Sequence, residues 1–391
     1  MKVFKDISLK LSFFAGILLL LTSCVEELEL DTENFESILI VEAVITDEVK
    51  IQEIKINRSY RLEENGPSEV SDAVVSIESS NGEDILFYEA SPGIYLSEVE
   101  FSAVPGTEYT LEVATENSIY RSSTISGQES TGIDEVRTTK TNLRGRTGVA
   151  ILVSSSDENQ GSFYKYLYEE TYKIVSPYEK LWDLIINEEG DLEVIEKTRE
   201  EYICYNTQPS EELIISGTNE LSENNINDYL VKFIARDNYK MSWRYSMLVK
   251  QMKISADAHA FYATLKKLSE ADNIFSQYQP GLLNGNVQAV EGNAEKVIGV
   301  FSAAAVDEAR VFFSYTDYFD PIVEQRASHL NDCEEFTDTH DILKELISEG
   351  EVKFFAEEPP DFPATTYFVI SAPCVDCNYF GTNVQPDFWI E

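Results

Sequence analysis

The chain is poor in the residues from which most enzymes build their sites. It has three histidines in 391 residues, His259, His329 and His340. No His-Glu-x-x-His pair, Gly-x-Ser-x-Gly elbow, phosphate loop or dinucleotide glycine fingerprint occurs. His259, among apolar neighbours, reads as a packed or surface residue rather than a base. Basic residues are scarce as well: 30 Lys plus Arg stand against 70 Asp plus Glu, for a net charge of -40. Such a chain repels phosphates and lacks the basic stripe that backbone contacts need, which excludes nucleic acid as a partner. Carboxylate pairs such as Asp317 with Asp320 and Glu334 with Glu335 arise by chance among 70 acids and nominate no glycosidase. No Asp-x-Asp-x-Asp-Gly loop is present, so charge density alone supports only weak Ca2+ binding. No catalytic residue, metal ligand or cofactor emerges from these patterns.

Long apolar runs are also missing. Leu11 to Leu21 falls short of the roughly 20 residues that a transmembrane helix needs. Preceded by Lys2, Lys5 and Lys10, it has instead the form of an export signal, residues 1–23. Leu21-Thr22-Ser23-Cys24 resembles the bacterial lipobox, which places a diacylglycerol on Cys24 and holds the mature chain to a membrane. Residues 24–37 then form a tether. Within it Val25-Glu26-Glu27-Leu28-Glu29 looks like the acidic tag that sends lipoproteins to the outer face of the outer membrane, with Glu26 and Glu27 as the signal. The alternative is a solvated acidic linker.

The remainder has the material of about two globular domains, since 43% of residues are hydrophobic and 12% aromatic. Short apolar stretches separated by turn signals fill residues 38–126. They include Ile38 to Ile45, Asp72 to Ile77, Ile85 to Tyr88 across Asn81-Gly82, and Tyr109 to Val113 after Pro105-Gly106. The spacing predicts an immunoglobulin-like or transthyretin-like β-sandwich. Residues 127–391 read as a larger β-rich domain with a few inserted helices, so the fold class is mainly β. In this second region Tyr164, Tyr166, Tyr168 and Tyr172 share one face of an extended segment. Such a stripe could bind glycans, but tyrosines also suit a half-buried pleated surface, and packing is the preferred reading. Trp243 to Ile254 reads as a strand. Ser255 then caps a helix whose Ala258, Phe261, Leu265 and Leu268 form a core stripe. A second helix, Asp341 to Ile347, stops at Gly350. Strand patterns return at Val352 to Phe355 and Thr366 to Ile370.

Besides Cys24 there are four cysteines: Cys204, Cys333, Cys374 and Cys377. An even set in an exported chain suggests disulfides, with three pairings that sequence does not separate. Cys374-Val375-Asp376-Cys377 could instead be a redox pair, or half a zinc site completed by Cys204 and Cys333. It lacks the βαβ context of the first, and the distant Cys204 and Cys333 do not form the second knuckle of the other.

Several stretches together resemble the Bacteroidetes outer-membrane lipoproteins of the DUF4249 (domain of unknown function) family. They are the lipobox ending at Cys24, Ile40-Val41-Glu42-Ala43 with Arg58-Ser59-Tyr60, and Pro105-Gly106-Thr107-Glu108-Tyr109-Thr110-Leu111. Further on come Pro280 with Gly285-Asn286-Val287, then Gly299-Val300-Phe301, Cys374 to Cys377 and Pro386-Asp387-Phe388-Trp389. No activity comes with the family. The resemblance implies a non-enzymatic accessory on a TonB-dependent outer-membrane receptor, capturing a small-molecule, glycan or peptide ligand or acting as a lid. The alternatives are a structural or accessory subunit of an outer-membrane secretion or assembly complex, and a surface hydrolase.

Overall fold

The computed structural model describes residues 37–60, 66–157, 161–218, 225–269, 283, 285–292, 296–330, 332–358 and 365–391. Cys24, Glu26 and Glu27 lie outside the described residues, as do the signal segment and all of the tether but Ser37. The protein is mainly β, with two α-helices among the described residues.

Period-two alternation builds the first half. In β1 (Leu39–Thr46), Leu39, Val41, Ala43 and Ile45 are buried on one face, and Ile40, Glu42 and Val44 stand on the other. β2 (Glu53–Arg58) repeats the pattern with Ile54 and Ile56. There follow β3 (Ser68–Glu69), β4 (Val74–Ser79), β5 (Asp84–Ser91), β6 (Ile94–Ser97), β7 (Glu108–Ala114), β8 (Ser118–Ser122) and β9 (Ile125–Ser126). Asn81-Gly82 turns β4 back on β5, with Gly82 at φ 88°, a conformation that glycine adopts freely. The inward side chains, Tyr95, Leu111 and Tyr120 among them, gather in one core, completed by Val287, Phe301 and Ala303 from far along the chain.

The second half supplies β10 (Glu135–Leu143), β11 (Arg146–Ser156), β12 (Phe163–Val175), β13 (Trp182–Ile186), β14 (Leu192–Glu196), β15 (Ile203–Pro209), β16 (Ile214–Gly217), β17 (Asn225–Ala235) and β18 (Arg244–Ile254). Helix α1 (Ala256–Ser269), β19 (Val287–Gly292), β20 (Val297–Ser314), helix α2 (His340–Glu349), β21 (Val352–Glu358) and β22 (Thr366–Ser371) follow. One sheet runs through both halves in the order β15-β12-β18-β20-β1-β2-β6-β5-β4-β7-β8-β19. The joint is β1, antiparallel to β2 and parallel to β20, with Val41 opposite Gly299. Ile38–Ser59 and Pro67–Glu391 accordingly form one compact unit.

Strand β12 packs on both faces, buried along its even-numbered side and mostly half-buried along the odd-numbered one, which carries Lys165, Glu169 and Lys173 besides Phe163 and Leu167. Its even-numbered tyrosines pack under a separate sheet, β10-β11-β17, against Val149 and Ile151 of β11 and Ile234 of β17. Its odd-numbered Phe163 and Leu167 belong to another apolar cluster, which contains Met252 of β18, Phe261 and Tyr262 of α1, and Val300 of β20. Ser255 Oγ accepts the backbone N–H of Ala258 at 3.2 Å and so caps α1, as its sequence position predicts.

Two disulfides fasten the C-terminal layer. Cys204 at the start of β15 pairs with Cys377, and Cys333 with Cys374. Beside them Glu201, 2% exposed, receives Lys197 Nζ at 2.7 Å and Lys353 Nζ at 3.1 Å. Burial alone would raise the Glu201 pKa, but the two lysines outweigh it and hold the carboxyl at about 2, against 4.5 for an unperturbed glutamate. The folded value is the lower one. The pair's contribution is therefore complete above pH 4.5 and is lost as pH falls from there toward 2. Melting curves at pH 7 and pH 3 are expected to differ by about 2 kcal/mol on this account. Glu201→Gln is expected to begin less stable at pH 7 and to lose less on acidification. An identical acid limb in that variant would contradict the assignment.

Candidate functional site

The residue patterns singled out from sequence do not converge on one site. Tyr164, Tyr166 and Tyr172 are at most 1% exposed, and Tyr168 is 5% exposed. Tyr166 stacks on Tyr229 with ring centroids 5.3 Å apart, and Tyr172 meets Tyr239 edge-on at 5.9 Å. Burial raises the pKa of all four phenols. The stripe is interior and offers no open ring face, which corrects the glycan-binding alternative.

Cys374 and Cys377 pair with different partners rather than with each other. With all four sulfurs bonded, neither a zinc thiolate set nor a redox pair is present. The histidines are apart from one another. His259 lies against Phe163 at 4.6 Å and His329 against Phe380 at 4.6 Å, and burial lowers the pKa of both. His340 Nε2 lies 3.0 Å from the Thr365 carbonyl oxygen. Among the described residues no group of three or more His, Cys, Asp or Glu is placed to hold a metal.

What the structure does present is an apolar groove of about 960 Å³ between α1 and the outer face of the large sheet. Ligand pockets commonly span about 300–1,000 Å³, are mostly apolar, and carry a few polar groups that orient the guest. The floor comes from the faces of β1 and β20 that turn away from the first core, through Ile40, Val44, Ile298 and Val300. Leu167 of β12 and Met252 of β18 continue it, and Phe261, Leu265 and Leu268 of α1 form a wall. The helical stripe is thus only half core. Ala258 and Phe261 are buried, whereas Leu265 is 38% exposed and faces the groove.

Three of the stretches that carry the family resemblance meet beneath this floor. Ile40 to Ala43 pairs in register with Ile298 to Phe301. Asn286 grips the same segment, donating from Nδ2 to the Phe301 carbonyl at 2.8 Å and accepting the Phe301 N–H at 2.7 Å on Oδ1. Gly285 is held so close that a Cβ there would lie 1.5 Å from the Gly299 carbonyl oxygen.

Among the described residues, the charged members of the groove lining are Glu42, Glu53, Lys55, Lys165 and Lys296. Lys165 projects from the odd face of β12 and lies over the Tyr262 ring, 4.4 Å from its centroid. Burial lowers its pKa, which the charge of Glu42 partly opposes. Burial also pushes the Tyr262 hydroxyl up to about 12, aided by Glu42, so it is a neutral hydrogen-bond donor at physiological pH. Sequence reasoning overlooked Lys165 and Tyr262. The available signal was a lysine set between two apolar residues, Phe163 and Leu167, on the odd-numbered side of the strand.

Comparison with curated proteins and with solved structures gives no match. A family model described as "Domain of unknown function (DUF4249)" matches residues 25–310. That span contains the whole groove lining, whereas Cys333, Cys374, Cys377 and Pro386 to Trp389 lie beyond it. The family carries no catalytic assignment. With most of its residues inside that match, the chain belongs to the DUF4249 family.

Proposed function

We propose that the protein is a lipid-anchored, surface-facing outer-membrane lipoprotein that acts without catalysis as the ligand-capturing accessory subunit of a TonB-dependent receptor. The observation that carries this reading is the apolar groove, a formed cavity of ligand size around which, among the described residues, no nucleophile, base and orienting group are assembled. The lipobox at Cys24 and the acidic Glu26-Glu27 stretch support the location. An anchor and tether confine the soluble part beside any barrel it touches, so even a weak interface suffices at the resulting effective concentration.

The test is mild detergent extraction of native membranes and affinity capture, with the associated proteins identified by mass spectrometry. The C-terminus is a poor place for the tag, because Trp389 is buried and Glu391 pairs with Lys173 at 2.9 Å. The exposed turn between β13 and β14 at Glu188–Gly190 is a better one. A stoichiometric TonB-dependent barrel is the expected result. A secretion or assembly barrel in its place would favour the structural-accessory alternative, and capture with no barrel would reject the partnership.

A further inference from the structure

Taking the groove as the ligand site, we infer that its ligand is a long-chain monoanion, an acyl chain ending in a carboxylate, with the head against Lys165 and Tyr262 and the chain along the apolar floor. The inference starts from an imbalance of charge. Among the described residues that line the groove are three lysines and two glutamates, in a chain whose net charge is -40. Lysines are scarce in this chain, and their presence along an apolar lining makes the groove less repulsive to an anion than the acidic surface around it.

The second observation is the state of Lys165. Lys55 already has Glu53 at 3.2 Å. Among the described residues no carboxylate lies within ion-pair distance of Lys165, which lies over the Tyr262 ring and feels the more remote charge of Glu42. A half-buried ammonium without a counterion is an unfavourable arrangement that an incoming anion relieves. One lysine offsets one charge, which favours a carboxylate over a doubly charged phosphate head. The neutral Tyr262 hydroxyl supplies a donor of the kind a carboxylate accepts.

The third is the lining beyond the lysine. From Lys165 the groove continues over Ile40, Val44, Met252, Leu265 and Leu268, side chains that hydrogen-bond to nothing and suit methylene groups. A glycan or a polar peptide would leave its own hydrogen-bonding groups unsatisfied along such a floor.

The experiment uses the full mature chain from residue 24, carrying Cys24→Ser so that no acyl chain of its own is present. Dodecanoate and dodecanol, both below micelle-forming concentration, are titrated by calorimetry. Dodecanoate is expected to bind at least about 10-fold more tightly than dodecanol. Extending the chain from ten carbons is expected to tighten binding about 4-fold per methylene until the groove is full. Lys165→Met, which keeps the side-chain volume and removes the charge, should weaken dodecanoate about 10-fold and leave dodecanol within about 2-fold. Leu265→Trp, which fills the groove, should weaken both.

Equal affinity for acid and alcohol, or dodecanoate binding indifferent to Lys165→Met, would overturn the anionic head while leaving the groove a ligand site. Binding of both that is indifferent to Leu265→Trp, or no binding of either, would overturn the inference together with the site on which it rests.

Discussion

Replacing Cys204 and Cys377 together by alanine is expected to lower stability by about 5 kcal/mol, a melting shift of about 7 °C. The bridge joins positions 173 residues apart, and both residues are 0% exposed. On the chain-entropy account its loss frees a very long loop in the unfolded state, while the folded state keeps a packed cavity where the sulfurs were. The C-terminal layer depends on this staple, since Cys377 follows the segment that Cys374 ties to Cys333. Removing Cys333 and Cys374 instead opens a separation of only 41 residues, for which about 4 kcal/mol is expected. Thermal unfolding of the two double variants beside the parent checks both values. A Cys204/Cys377 variant that melts with the parent would show that packing alone holds the layer. Limited proteolysis of the variants should cut first between β20 and the C-terminus, because that region is then left to one remaining disulfide, two small apolar clusters, ion pairs such as those of Glu201 and the buried Trp389.

The strands were legible because a pleated strand writes its burial into alternate residues. Leu39, Val41, Ala43 and Ile45 announce β1, the Asn81-Gly82 pair announces the β4–β5 hairpin, and the helices begin and end at Ser255 and Gly350 as their caps require. Alternation shows which face of a strand is buried, however, and not which strand lies beside it. Nothing in Leu39 to Thr46 reveals that its parallel neighbour begins at Val297. The cysteine pairing was open for the same reason, since it depends on which segments the long-range pairing brings together.

The tyrosine stripe shows how a pattern fixes a face but not its cover. Tyr164, Tyr166, Tyr168 and Tyr172 share one side of β12 as their spacing dictates, and the β10-β11-β17 sheet that buries them is specified elsewhere. The groove is the converse. Leu265 and Leu268 continue an apolar stripe on α1 as core residues would, yet the helix stands far enough from the sheet at that end to leave a cavity. A hydrophobic period records that a face is kept from water and cannot distinguish a protein neighbour from a ligand.

Gly285→Ala is expected to cost about 3 kcal/mol and to abolish ligand binding in the groove, because the position has no room for any side chain. The added methyl would lie 1.5 Å from the Gly299 carbonyl oxygen and 2.5 Å from its carbon, so backbone rather than a flexible side-chain tip must move. Movement there is transmitted directly to the floor. Gly299 sits opposite Val41 in the β1–β20 ladder, and a Cβ at Gly299 would itself meet the Val41 carbonyl oxygen at 2.6 Å, so β20 has no slack toward β1. The strain must instead pull Asn286 off Phe301 and break both of its hydrogen bonds, freeing the segment that leads into β19. Asn286→Ala removes the same two bonds without the clash, and about 1–2 kcal/mol is expected for it. Gly132→Ala serves as a control. There the nearest atom to an added Cβ is Asp307 Oδ2 at 3.7 Å, an ordinary contact, and a change within about 0.5 kcal/mol is expected. Melting temperatures and dodecanoate titrations of the three variants separate loss of fold from loss of floor. Normal stability in Gly285→Ala would mean that β19 and β20 are not seated as closely as the geometry requires. Normal binding in Asn286→Ala would place the ligand's weight on α1 and β12 rather than on the β1–β20 floor.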